Sequence, residues 1–378
     1  MSANTESWPG RIGLMVGHTA GMIDLVALPV WVGALISEYK FDEPHAGGLV
    51  TLYLVGAVVG SVFFASRLNR IVGRLAATVG FLCAAVAFFA ASRTADWGTL
   101  AALHAVGGAA AGCGLSFTHG TIGRSAKPHQ LFALVNFALG VFAIPFLGVT
   151  PVLISKFGGP ALFLVFTGVM VFATLVVAIL FPSAPARREV RTEPLSRSVW
   201  FGVVAVSCMA LTQAMIFSFL ERIGMDRGFG RETVTGVLIA LGFVALLPAP
   251  LAAFLETRVA SRIVFVLGPA LQALVAATIA LGVGFPLYAA AALVFAPVMI
   301  FTHTFAFGVL SRLDPSSRSV AGTPAMLMIG GAIGPILGGV LVSVFGYGSL
   351  AVAAIVIDAA ALILFWQVTA PARVAAAA

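Results

Sequence analysis

Asn69-Arg70-Ile71-Val72-Gly73-Arg74 returns as Thr257-Arg258-Val259-Ala260-Ser261-Arg262, displaced by 188 residues. Gly140-x4-Pro145-x2-Gly148 returns as Gly330-x4-Pro335-x2-Gly338, displaced by 190. Either match alone is weak, but both displacements fall close to half of a 378-residue chain. A chain duplicated in this way must fold as two similar units, because each half carries the same pattern of elements.

What those elements are follows from hydropathy. The chain is 60% hydrophobic and 9% charged, with a mean hydropathy of +1.08; an ordinary soluble domain carries roughly 25% charged residues. Apolar stretches of the length that a bilayer core requires of a helix are expected near 12–37, 46–66, 75–92, 98–122, 131–154, 160–181, 199–221, 233–255, 263–284, 286–310, 320–345 and 347–369. The fold class is therefore an all-α membrane protein, with twelve transmembrane helices in two pseudo-symmetric six-helix bundles. The expected division is 1–181 for the N-terminal bundle, 182–198 for a linker rich in Pro, Arg and Glu, and 199–378 for the C-terminal bundle. An even number of spans puts both termini on one side, and that side receives fifteen of the 21 Lys and Arg residues. By the positive-inside rule both termini are cytoplasmic, in a multi-pass protein of the cytoplasmic (inner) membrane. The net charge of +7 follows from that topology and calls for no nucleic-acid partner.

Several classes drop out. Cys83, Cys113 and Cys208 all fall inside apolar stretches, so no disulfide framework is implied. The first eleven residues and the long apolar stretch after them do not read as a cleavable signal. No loop is long enough to hold a soluble module, and neither a G-x4-GK[ST] phosphate loop nor an H-E-x-x-H helix occurs. The chain reads as neither an enzyme nor an ATP-driven pump and needs no cofactor. Duplicated apolar bundles instead point to a gradient-driven carrier of a small molecule in the lipid bilayer.

Twelve spans, the 6+6 duplication and the basic loops after spans 2 and 8 resemble the major facilitator superfamily. That family's loop after span 2 reads roughly G-x3-D-[RK]-x-G-[RK]-[RK]; here Arg70 and Arg74 match, Asn69 replaces the acid, and Ala65 and Val72 replace glycines. The resemblance implies a gating role for Asn69, Arg70 and Arg74, and for their counterparts Arg258 and Arg262. Gly330-x3-Gly334-Pro335-x2-Gly338-Gly339 is similar to the family's glycine-rich antiporter motif, placed on span 11 rather than span 5, where only Gly140, Pro145 and Gly148 remain. Gly140, Pro145, Gly334 and Pro335 are accordingly gating candidates, since glycine permits close helix approach and proline bends a helix. The resemblance also implies that spans 1, 4, 7 and 10 line a central cavity, that 2, 5, 8 and 11 form the interface between halves, and that a monomer suffices.

Polar residues within the spans supply the candidate site. Charge is costly in a membrane, so Asp24, near the middle of span 1, is a candidate proton carrier or a counter-charge for a cation. His119 and His303 stand in the same tripeptide, Phe117-Thr118-His119 and Phe301-Thr302-His303, on spans 4 and 10. Imidazole titrates near neutrality, which makes both candidates for proton coupling. His18, Met22, Gln213, Phe117, Phe301 and Met299 are expected in the substrate cavity. His104 reads as interfacial, Glu221 and Arg222 as an outer rim, and Asp358 on span 12 as a structural acid. No Arg or Lys lies deep in spans 1, 4, 7 or 10, so the expected cargo is neutral, aromatic or cationic, coupled to protons, with export favoured. A transition-metal carrier is the alternative, because His18-x3-Met22 and Met299-x3-His303 set soft ligands one turn apart.

Overall fold

The computed structural model describes residues 4–182 except 66 and 69, then 195–255, 258–313 and 323–368. Among them are twelve helices long and apolar enough to cross a membrane. Spans 1–6 are Trp8–Ser37, Glu43–Ala65, Gly73–Ala91, Trp97–Ile122, Gln130–Phe157 and Pro160–Leu180. Spans 7–12 are Arg197–Asp226, Arg231–Ala252, Ser261–Leu281, Phe285–Leu310, Met326–Phe345 and Gly348–Trp366. Asn69 and residues 183–194 of the expected linker lie outside the described residues.

Local chemistry starts and stops these helices. Asp96 caps span 4 by accepting from the Thr99 backbone N–H at 2.7 Å, and Ser196 caps span 7 through the Val199 N–H at 3.4 Å. Gly158 after span 5 and Gly346 after span 11 both take positive φ, 76° and 72°, which favours glycine. Gly158 N–H donates to Ile154 and Gly346 N–H to Val342, and Ala161 and Ser349 N–H return to the two glycines. Every member of that set is displaced by 188 residues, so the duplication extends to individual hydrogen bonds.

Two spans are interrupted. Span 1 divides into Trp8–Gly21 and Ile23–Ser37 at Met22, just after Gly17 and Gly21 lie flat on Thr118 and Leu115 of span 4. Span 8 divides into Arg231–Val244 and Pro248–Leu255, where Pro248 and Pro250 prevent an unbroken helix.

Within the first half, span 4 packs on spans 2 and 3, and span 6 on spans 1 and 3; in the second half, span 7 packs on 11, 12 and 10, and span 9 on 10 and 12. The halves meet along spans 2 and 11, 5 and 8, and 1 and 7. On span 11, Gly330, Gly334 and Gly338 press against span 7 at Ser207, Ala214 and Phe219. Gly339 turns the other way, onto the Glu43 carbonyl of span 2, and Gly47 on span 2 receives the Pro335 carbonyl. A hydrogen bond crosses there too, from Ile336 N–H to Thr51 Oγ1 at 3.2 Å.

Among the described residues, the close contacts of this seam named above lie toward the end opposite the termini, here called the far end. The same face of span 2 continues through Val55, Val59 and Val62, exposed by 44%, 59% and 61%, and span 11 runs back through Ile333 and Ile329, about half exposed. Spans 5 and 8 meet in the middle, at Gly140 on Leu246, Ile144 on Gly242 and Gly148 on Ile239, while Leu251 and Phe254 nearer the terminal end are exposed. The two halves are clasped at the far end and part toward the termini.

Candidate functional site

The break in span 1 organises the polar groups of the first half. His18 ends the first piece and is buried, and its Nδ1 lies 2.9 Å from Nε2 of His119 on span 4. The rings are 5.1 Å apart, Phe132 of span 5 meets His119 edge-on, and Asn136 stands beside His18. One imidazole must donate and the other accept. The pair can take one further proton with this bond intact, because a charged ring donates from one nitrogen and still offers the other N–H. His18 Nε2 has no hydrogen-bond partner among the described residues.

Asp24 stands on the other side of Met22, in the first turn of the second piece. It is 2% exposed, and its Oδ1 has no partner among the described residues. The start of a helix favours negative charge while the apolar surroundings oppose it. Met22 is buried at the break between the two groups. Tyr53 of span 2 lies close enough to Asp24 to feel its charge.

The other candidates are more dispersed. Phe117 is buried and turns toward Phe64 of span 2, inside the first half. Met299 is buried in the second half, Phe301 lies against Phe305 with the rings tilted, and the half-buried His303 lies against Phe307 with Nδ1 unpartnered among the described residues. Gln213 accepts from Gln272 of span 9 at 3.4 Å, and Gln272 also donates to the Met209 carbonyl. His119 and His303, alike in sequence, are not brought together; His18 is the partner of His119. Among the described residues no group of three or more His, Cys, Asp or Glu gathers to hold a metal ion.

The loop arginines act within their own halves. Arg74 donates twice to the Phe181 carbonyl, at 3.2 and 2.9 Å, tying the start of span 3 to the end of span 6. Arg262 lies 4.2 Å from the ring centre of Trp366, tying span 9 to span 12 in the equivalent place. Arg67 on Phe63 and Arg258 on Phe254 repeat a second motif, Phe-x3-Arg, at a displacement of 191. Arg70 is exposed, while Gly140, Pro145, Gly334 and Pro335 sit on the spans that form or flank the seams.

Two expectations are corrected. His104 is not interfacial: it is 1% exposed, its Nδ1 is 2.7 Å from the Leu100 carbonyl, and its ring lies against Trp31 and Phe163. Glu221 is not a rim residue, because its carboxyl turns inward onto Gly33 of span 1. Both errors share a cause, since distance along a helix gives depth in the membrane but not which way a side chain faces.

Twelve membrane-length helices in two equivalent sets, with a broken and polar first span, are the architecture of a secondary transporter. The profile of the Major Facilitator Superfamily matches residues 14–322, and the chain belongs to that superfamily. Among solved structures it is similar to a mutant of the nucleoside transporter NupG, at 13% identity and a TM-score of 0.71, over 94% of this chain and 98% of that one. Among curated protein sequences no match is found.

Proposed function

We propose that this transporter moves a small neutral, aromatic or cationic organic solute across the cytoplasmic membrane in exchange for protons, export being favoured over import. The observation that carries the reading is the His18–His119 bridge between spans 1 and 4, across the break from Asp24. A proton taken up here places a positive charge on the bridge between spans 1 and 4. No Arg or Lys lies deep in spans 1, 4, 7 or 10, which disfavours an anionic cargo. The similarity to a nucleoside transporter agrees with a neutral solute bearing an aromatic ring. With the termini in the cytoplasm, far-end closure is an inward-facing state. The two bundles, 1–181 and 199–378, joined by the 182–198 linker, then rock against each other to face outward, the protein working as a monomer.

The test is uptake and exchange in proteoliposomes under an imposed pH gradient. Nucleosides and aromatic cations form the panel, and an internal dye reads proton movement. Wild type should concentrate a panel member with proton counter-movement. His119→Gln and Asp24→Asn should keep solute exchange but lose the uphill step, since exchange needs no net proton transfer. Solute accumulation without proton movement, or undiminished accumulation by both variants, removes the proposal.

A further inference from the structure

Glu221 belongs to span 7, little more than one turn before its far end, where sequence position alone suggests an exposed rim. Its side chain instead enters the seam between spans 1 and 7. Gly33 of span 1 makes the slot: a Cβ at that position would lie 2.9 Å from Glu221 Oε2 and 3.4 Å from Cδ. Oε2 is enclosed and has no hydrogen-bond partner among the described residues, while the residue as a whole is half-buried.

The groups around it do not neutralise it. From span 10 comes Tyr288, whose hydroxyl donates to the Leu220 carbonyl at 2.7 Å. From span 8 comes Arg231, close enough to act on Glu221 electrostatically, with no ion pair between the two among the described residues. On its own span, Arg222 is engaged by Asp226 at 2.9 Å, and Tyr347 also donates to Asp226, at 2.6 Å. Span 1 offers Gly33 with no side chain; its other acids are Asp24, well below, and Glu38 just beyond its end, whose Cβ faces Gly159. Glu43 lies at the neighbouring seam between spans 2 and 11, and the exposed Asp42 and His45 beside it bond to each other.

We propose that Glu221 is a gate carboxyl, which must bind a proton for the far-end seam to close and releases it when that seam opens. A carboxylate turned into this seam without a hydrogen-bond donor suffers desolvation that Arg231 offsets only in part, whereas the neutral acid fits. Parting of the halves at the far end brings the same group to water, where it ionises freely. Closure and proton uptake are therefore linked: each favours the other by the same free energy. The chemistry is one proton moving between far-side water and a carboxylate oxygen. This site lies at the gate and is separate from Asp24 and the His18–His119 pair. It rests on the proton-coupled reading only in assigning this proton to the transport cycle.

The test measures far-end width against pH by double electron–electron resonance. Spin labels are placed at Asp42→Cys and Phe345→Cys in full-length protein with Cys83, Cys113 and Cys208 replaced by alanine. The distance should lengthen from pH 5 to pH 9 without added solute. Glu221→Gln should hold the short distance throughout, with the open population at pH 9 at least tenfold below that of the parent. Asp24→Asn should keep the response. Gly33→Ala, which crowds the slot, should favour the long distance at both pH values and serves as the deciding variant where Glu221→Gln fails to fold. A distance independent of pH in the parent, or a response that survives Glu221→Gln, overturns the proposal. A response lost in Asp24→Asn and kept in Glu221→Gln moves the sensor to Asp24, which sinks the gate carboxyl but leaves coupling through span 1 standing. Proton flux in proteoliposomes reports on that coupling independently.

Discussion

Gly47→Ala should push the transporter out of its far-end-closed state without unfolding it. A Cβ on Gly47 would strike the carbonyl group of Pro335 on span 11, reaching its carbon at 2.7 Å and its oxygen closer still. Ordinary contact begins near 3.4 Å, and the obstacle is backbone, which no rotamer can move aside. Spans 2 and 11 must therefore part by about 1 Å, enough to forfeit a quarter to a half of each dispersion contact along the seam. Overpacking of this kind costs about 1–3 kcal/mol. The cost applies only where the seam is closed, so the open fraction should rise by roughly 5- to 150-fold. Exchanging Gly for Ala inside a helix gains up to about 1 kcal/mol in both states, which protects overall stability. Spin labels at Asp42→Cys and Phe345→Cys read the result directly, as a shift of the distance distribution toward longer values with little change in melting temperature. An unchanged distribution would refute the claim that this seam is the closed gate. A large fall in melting temperature with no shift would mean that spans 2 and 11 are a fixed core contact.

Thr51→Val should weaken the same closure more gently, since the lost Ile336 N–H to Thr51 bond is worth about 0.5–1.5 kcal/mol, or a two- to twelvefold shift in the same measurement. Arg262→Ala should lower thermal stability by about 0.5–1 kcal/mol through loss of its contact with Trp366, with transport otherwise intact. Gln272→Leu should cost about 1–3 kcal/mol in a denaturation series, because the buried amide that donates to the Met209 carbonyl is removed. Outside the membrane, hydrogen bonds from the Thr99 hydroxyl and backbone N–H hold the Asp96 carboxyl below the usual carboxylate range. A depressed value stabilises the folded state above the unfolded value and loses that contribution as pH falls. Amide exchange at the start of span 4 should thus speed up in acid, and Asp96→Asn should flatten that dependence.

Membrane class, the number of spans and the two-fold repeat were legible in the sequence because each is a property of one helix at a time. Twenty apolar residues must form a helix in a bilayer, whatever their neighbours. Duplication likewise shows in linear order, and the matched hydrogen bonds at Gly158 and Gly346 are its structural counterpart. The expected orientation, read from basic loops, is local in the same way. Asp24 and His18 stood out for a related reason: a polar atom in an apolar run draws notice before any fold is known.

Facing and pairing were decided only by tertiary structure. His119 resembles His303 in sequence, yet pairs with His18, because the glycines of span 1 bring it flat against span 4. Arg74 carries a loop motif associated with gating, and its guanidinium is used to tie span 3 to span 6. Glu221 and His104 had the right depth and the wrong direction, since a turn of 100° per residue converts small errors in register into opposite faces. The closed far end was equally invisible in the chain. It depends on which glycine meets which carbonyl across two helices almost 300 residues apart, and a linear sequence specifies such an encounter only through the packing of everything else.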